Sequence, residues 1–243
     1  RHSAYIPNRE GERGKNELTT IDSSVKLVTL TDAASPASEA FRTLRTNIHF
    51  SSLDNPLKAL LITSTDPGEG KSTVLANLAV AMAQAGNRVL VVDCDLRRPS
   101  QHRIFGLKNV AGLTTMMVES QAKERPPLQE TSVPNLSLLT SGPLPPNPSE
   151  ILGSRRMAEV LALLKAEADI LLLDAPPIIA VTDAAILASK VDGVLLVVQA
   201  HKTKRELAKK AKGMLQKANA NLLGVVLNNV KMDTTIYRYY AEK

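Results

Sequence analysis

A lysine, a hydroxyl and three carboxylates stand in this sequence where they can handle a polyphosphate. Lys71 and Ser72 lie in the stretch Ser64-Thr65-Asp66-Pro67-Gly68-Glu69-Gly70-Lys71-Ser72-Thr73. The apolar run Ala59-Leu60-Leu61-Ile62 leads in, and a helical pattern from Val74 to Ala85 leads out. Strand, glycine-rich turn and helix in that order make a phosphate cradle. The turn's N–H groups and the helix N-terminus face one point and draw an anion to it. Asp66, Pro67, Gly68, Glu69, Gly70, Lys71, Ser72 and Thr73 are therefore expected to hold a nucleotide's phosphates. Lys71 can reach the β- and γ-phosphates, and the Ser72 hydroxyl can take a place on Mg²⁺. The fit to G-x-x-x-x-G-K-[ST] is incomplete, because Thr65 stands where the first glycine belongs. Gly68 and Gly70 keep the permissive backbone positions. A chance Gly-Lys-Ser turn is the competing reading, and the flanking strand and helix argue against it.

The carboxylates answer the need of Mg²⁺ for hard oxygen ligands. Asp174 ends the run Leu171-Leu172-Leu173 and precedes Ala175-Pro176-Pro177, which has the form of a Walker B acid beside Ser72. Asp93 and Asp95 follow a different run, within Val91-Val92-Asp93-Cys94-Asp95-Leu96-Arg97-Arg98-Pro99. Either can reach the metal pocket, or take a proton from an incoming hydroxyl as a general base. Strand-end aspartates also simply cap loops. Three acids after two buried strands, with a phosphate loop on a third, favour a Mg²⁺–nucleotide site. Asp183 and Asp192 are weaker candidates: Thr182-Asp183 reads as a helix cap and Asp192-Gly193 as a turn. Asn228 and Asn229 follow the last buried strand. They suit the edge of a purine base or a turn equally well.

Positioning these groups takes a sheet. Arg88–Asp93, Asn135–Thr140, Ile170–Asp174, Val194–Val198 and Leu222–Leu227 read as buried strands. Helical patterns run over Met157–Ala168, Asp183–Ser189 and Lys204–Ala218. Continuous apolar runs alternating with helices predict an α/β fold with a doubly wound, mostly parallel sheet and helices on both faces. Right-handed crossovers then bring the functional loops to the strands' carboxyl ends. Upstream, Val25–Thr29 reads as a short edge strand. Ser35-Pro36 and Ser38 announce a helix with Phe41, Leu44 and Ile48 on one face. On that helix Glu39, Arg42 and Arg45 form a charged stripe. Composition alone favours a solvated face with local ion pairs, and the functional reading is a self-association surface. Two proline-rich stretches, at 125–127 and 141–150, read as rigid surface loops, with Ser149 an N-cap for the helix that follows. The chain divides into a mobile lead-in (1–20), one domain (21–232) and a tail (233–243).

Composition narrows the partners. The 243 residues carry a net charge of +6, and aromatic residues make up 3% with no Trp. The basic balance suits polyphosphate or an anionic membrane face, while scarce aromatics argue against a base-stacking nucleic-acid surface. The single cysteine, Cys94, has no internal partner and suits a reducing compartment. No apolar run reaches the length of a membrane span, and no signal peptide is visible. The chain opens on Arg1, so a membrane segment upstream is an open expectation. The cations Lys202, Lys204, Arg205, Lys209, Lys210 and Lys212 read as a solvated helix face.

Taken in order, the motifs resemble those of the bacterial tyrosine kinases. Pro67-Gly68-Glu69-Gly70-Lys71-Ser72-Thr73 is similar to their Walker A. Asp93-Cys94-Asp95-Leu96-Arg97-Arg98-Pro99 is similar to their Walker A′, and Leu173-Asp174-Ala175-Pro176-Pro177 to their Walker B. Glu39-x-x-Arg42-x-x-Arg45 matches their oligomerisation motif. Partition and septum-positioning ATPases of the same superfamily usually carry a lysine early in the loop, where this chain has Asp66. Tyr237, Tyr239 and Tyr240 crowd the last seven residues, as in the kinases' own phosphorylation site. The resemblance implies a P-loop NTPase fold and autophosphorylation of that cluster by MgATP. Lys71 would stabilise the transferring phosphoryl group, and Ser72, Asp95 and Asp174 would organise the metal. Asp93 is the preferred base and Asp95 the alternative. It further implies a ring or dimer joined through Glu39, Arg42 and Arg45, and a transmembrane activator or upstream membrane domain. A counteracting tyrosine phosphatase, a place at the inner face of the cell membrane and a role in capsule or exopolysaccharide export complete the picture. An ATPase switch that dimerises on ATP without making phosphotyrosine is the rival reading.

Overall fold

The computed structural model describes residues 27–53, 55–119 and 125–231. The lead-in 1–20, the tail 233–243 and with it Tyr237, Tyr239 and Tyr240 lie outside the described residues. The strands are β1 (Ala59–Ser64), β2 (Val89–Asp93), β3 (Gln129–Glu130), β4 (Leu136–Leu139), β5 (Ile170–Asp174), β6 (Gly193–Gln199) and β7 (Leu222–Asn228). Among the described residues these seven form one sheet, ordered β3-β4-β2-β5-β1-β6-β7. Every pairing is parallel except that of β3 with β4. Five strands fall within one residue of the expected bounds, and two-residue β3 carried too little pattern to be seen.

Central strands form here because both faces are covered. Each residue of β1 and β2 is buried. Alternate side chains then divide between two cores. Leu61, Val92, Leu171, Leu173 and Leu196 face one. Leu60, Ile62, Val91, Leu172 and Val197 face the other. At roughly 1.5–3 kcal/mol for each fully buried large aliphatic side chain, this two-sided burial is what holds polar strand ends at fixed spacings.

The helices are α1 (Val28–Thr31), α2 (Pro36–Phe50), α3 (Lys71–Gln84), α4 (Gln101–Ile104), α5 (Leu113–Val118), α6 (Pro148–Gly153), α7 (Arg155–Glu167), α8 (Asp183–Ala188) and α9 (Arg205–Lys217). Ser35 caps α2, its hydroxyl accepting from the Ser38 N–H at 3.2 Å, with Pro36 next in line. Ile48 is buried and Phe41 and Leu44 pack partly buried beside it, as the spacing predicts. Two expectations need correction. Where Val25–Thr29 can be read, it is not an edge strand: Val28–Thr31 is helical. The Thr29 N–H and hydroxyl both donate to Asn77 Oδ1, at 3.1 and 3.0 Å, which docks the turn on α3. Ser149 does not cap α6, because Asn147 holds that position with Pro148 at the start.

Asp192 does more than turn the chain into β6. Its Oδ2 accepts from the N–H groups of Lys58 and Ala59 at 2.9 and 2.7 Å, which fixes where β1 begins. Its Oδ1 lies 3.1 Å from Lys165 on α7. Partial burial alone would raise this carboxyl's pKa. Lys165 and the two N–H groups outweigh burial and hold it below the usual carboxylate range. A depressed folded pKa means the stabilisation is complete above the unfolded value near pH ~4. It is lost as pH falls through the lower folded value. Asp192→Ala is expected to cost about 1–3 kcal/mol at neutral pH in urea unfolding. The difference from the parent should vanish in acid.

Candidate active site

Strand order gathers the carboxyl ends that matter. β5 lies between β2 and β1, and Asp174 is in register with Asp93 on one side and Ile62 on the other. The acid that ends β5 therefore stands beside the acid that ends β2 and beside the turn that leaves β1.

That turn is braced from within. Glu69 is 3% exposed. Its Oε2 accepts from the N–H groups of Thr65 and Asp66, at 2.8 and 3.1 Å, and its Oε1 accepts from the Thr203 hydroxyl. Gly68 and Gly70 take φ of +78° and +87°, the left-handed region that side chains disfavour. A Cβ on Gly70 would sit 2.2 Å from Asn228 Nδ2, which itself donates to the Glu69 carbonyl at 2.9 Å. α3 begins directly after Gly70, so its first-turn N–H groups, which lack intrahelical acceptors, are available to an anion.

Lys71 is the centre of the site. Its Nζ lies 3.0 Å from Asp95 Oδ2, 3.0 Å from Asp174 Oδ1 and 3.0 Å from the Ser72 hydroxyl. Burial would lower its pKa, but the charges of Asp174 and Asp95 prevail and raise it above the ordinary lysine value. The ammonium is therefore fully charged at neutral pH. Three oxygens that converge on one cation are also the hard donors Mg²⁺ prefers. Ser72, Asp95 and Asp174 thus fit the metal role expected of them.

The two acids after β2 have separate places. Asp95 lines the cleft. Asp93 is fully buried and its oxygens are engaged: Oδ1 accepts from the Asp95 N–H at 3.2 Å. Oδ2 accepts from the N–H groups of Ser100 and Gln101, each at 2.9 Å. Burial first, then the neighbouring Asp174 charge, push its pKa up to about 7, against the pull of those N–H groups. A carboxyl near neutrality suits a general base on titration grounds, and three backbone donors fix its position. It positions Asp95, and Asp95 is the acid that faces the cleft.

The cleft measures about 540 Å³ and joins Pro67, Gly68 and Gly70 to Thr73 with the segment after β2 and with Pro176 and Pro177 after β5. Of the residues expected at the nucleotide, Glu69 and Asn228 also hold the loop's shape. Two participants were missed. Gln101 is buried and donates through Nε2 to Asp174 Oδ2 at 2.7 Å and to the Ser72 carbonyl at 3.2 Å, while its Oε1 has no partner among the described residues. Arg97 binds Asp183 bidentately, Nε at 2.8 Å and Nη2 at 3.1 Å. Asp183 is therefore an anchor for the Walker A′ segment, joined by the Ser149 hydroxyl at 2.6 Å. A lone Gln and an ion pair 86 residues apart leave no local pattern to find. Glu39 and Arg42 pair with each other at 2.8 Å on the exposed side of α2. Arg45 donates to the Ala81 carbonyl at 3.1 Å.

Fold and site together define a P-loop nucleotide-handling protein. The family described as ParA: NUBPL iron-transfer P-loop NTPase matches residues 56–237. The tyrosine-protein kinase YwqD of Bacillus subtilis is 44% identical over 218 residues, 89% of this chain and 92% of its own. The solved kinase domain of Escherichia coli tyrosine kinase ETK superposes with a TM-score of 0.77 at 30% identity, covering 85% of this chain and 82% of that one. The septum-site-determining protein MinD of Pyrococcus horikoshii, solved with Mg-ADP, is more distant at TM-score 0.58 and 26% identity, covering 70% of this chain and 69% of that one. The chain belongs to the bacterial tyrosine-protein kinase family and is an enzyme of that class.

Gly70→Ala tests the brace. Forcing alanine into the left-handed region costs about 1–2 kcal/mol, before its Cβ meets Asn228. Nucleotide affinity by calorimetry is expected to fall about tenfold, the equivalent of 1.4 kcal/mol. Adding Asn228→Ala should relieve the contact and restore only part of the loss.

Proposed function

We propose that this protein uses MgATP to phosphorylate its own C-terminal tyrosines, Tyr237, Tyr239 and Tyr240, between copies of the chain. The observation that carries the reading is the convergence of Lys71, Ser72, Asp95 and Asp174 beside a phosphate loop, in a chain of tyrosine-kinase family. The loop's N–H groups and Lys71 orient the phosphates and offset charge that builds on the transferring group. Mg²⁺, held through Ser72, Asp95 and Asp174, would supply further charge neutralisation. A phenolic hydroxyl of pKa near 10 needs a base; Asp93 is the preferred one, and Asp95, on the cleft wall, is the alternative. Asp93 holds the Asp95 backbone in place, and Gln101 and Lys71 hold Asp174.

The reading extends to assembly and place. Exposed Glu39 and half-buried Arg42 on α2 are charges that can exchange their mutual pair for one with a neighbouring copy, so oligomer contact brings one copy's tail to another's cleft. A transmembrane activator or upstream membrane domain would recruit the enzyme to the inner face of the membrane. A tyrosine phosphatase would reset it, and capsule or exopolysaccharide export would be the process controlled. Among the described residues no helix is long and apolar enough to cross a membrane.

Incubation with labelled ATP and Mg²⁺, followed by mass-spectrometric mapping, is expected to place phosphate on the tail. Steady phosphate release with an unmodified tail would establish the ATPase-switch reading instead. Lys71→Met should abolish transfer, and of Asp93→Asn and Asp95→Asn the one that removes the base should lower kcat by roughly 10²–10⁴-fold, the usual worth of a positioned base. A Glu39→Ala/Arg42→Ala/Arg45→Ala variant should run as a monomer in light scattering. Its tail labelling should also fall with dilution faster than the parent's.

A further inference from the structure

The cleft carries positive charge beyond Lys71. Besides Lys71 it is lined by Arg97, Arg98 and Arg103. These guanidiniums are not equivalent. Arg97 is neutralised by Asp183, itself fully buried. Among the described residues Arg103 donates only to the Pro99 carbonyl, at 3.3 Å, a neutral acceptor. Among the described residues the Arg98 guanidinium meets no hydrogen-bond partner or acid; only its backbone N–H is engaged, by Asp95. The acid on the cleft wall, Asp95, already pairs with Lys71. Among the described residues, these two exposed charges on the cleft lining lack a counter-ion.

Around them the wall is apolar, formed by Ile104, Pro177, Ala180 and Val181. Guanidinium donors beside an aliphatic wall suit an aryl phosphate. The ring meets the wall, and the dianion takes charge-assisted bonds from planar N–H forks. We propose that Arg98 and Arg103 form a second anion subsite that holds a phosphotyrosine already made while another tyrosine of the same tail lies at Lys71. The subsite rests on the kinase reading above. Extended peptides place residues i and i+2 on one side, roughly 7 Å apart, and Tyr237 and Tyr239 have that spacing in the sequence. Each phosphate adds about −1.5 to −2 charge, so the first transfer converts a weakly charged tail into a better ligand. Phosphorylation then proceeds on the tail already engaged.

The test uses the full chain, treated with phosphatase and loaded with MgADP so that no transfer occurs. Fluorescence anisotropy compares a peptide of residues 232–243 phosphorylated at Tyr239 with the unmodified peptide. The phosphopeptide is expected to bind at least about tenfold tighter, and that preference should shrink as salt screens the charges. Phenyl phosphate should compete better than inorganic phosphate, which separates an aryl-phosphate site from a plain anion site. Arg98→Gln/Arg103→Gln should erase the preference, with melting temperature reporting an intact fold. Equal affinities for the two peptides, or a preference that survives the double variant, would overturn the subsite. If ATP labels the tail while the peptides bind alike, only the subsite falls. If the peptides differ while ATP leaves the tail unlabelled, the subsite stands as a phosphotyrosine-binding site and the kinase reading falls.

Discussion

The structure depends on one buried ammonium between two carboxylates. Lys71 can be charged in a burial that disfavours charge only because Asp95 and Asp174 stand 3.0 Å away on either hand. Removing one partner would leave the others uncompensated, a cost of about 3–5 kcal/mol for buried pairs. So the site cannot be altered one charge at a time. The sheet serves this arrangement. Placing β5 between β2 and β1 makes the strand ends adjacent, and the two cores keep them so.

Around this centre lies a shell of anchors. Asp93 fixes the Asp95 backbone, Gln101 fixes Asp174, and Asp183 fixes Arg97. On the other flank Glu69, Thr203 and Asn228 tie the phosphate loop to the ends of β6 and β7. Several of these groups are acids in an anion-binding site, which is tolerable because each is saturated by backbone N–H groups, a hydroxyl or a guanidinium. The cleft therefore presents a positive face although acids underlie much of it.

Much of the fold was legible because its signals are local. Runs such as Leu171-Leu172-Leu173 can only be strands buried on two faces, and Gly68 and Gly70 mark a loop whose backbone needs positive φ. The phosphate-facing groups were legible for the same reason, being contiguous in the chain. What stayed hidden depends on tertiary choice. Asp93 and Asp95 are two residues apart and chemically alike, and only the folding back of Ser100 and Gln101 onto Asp93 tells them apart. Val28–Thr31 has strand-forming residues, yet Asn77 on α3 offers them an acceptor and wins. Asn228 looked equally fit for a base edge or a turn, and the approach of Gly70 assigns its amide nitrogen to the loop.

Cys94 lies between those two aspartates, wholly buried, its thiol pushed well above the ordinary value by burial and then by the charge of Asp93. It is the chain's sole sulfhydryl, and both factors suppress the thiolate on which oxidants and alkylating reagents act. The native chain is therefore a silent background for bioconjugation. A cysteine engineered at any exposed position would take a maleimide dye alone, without first stripping out a reactive side chain.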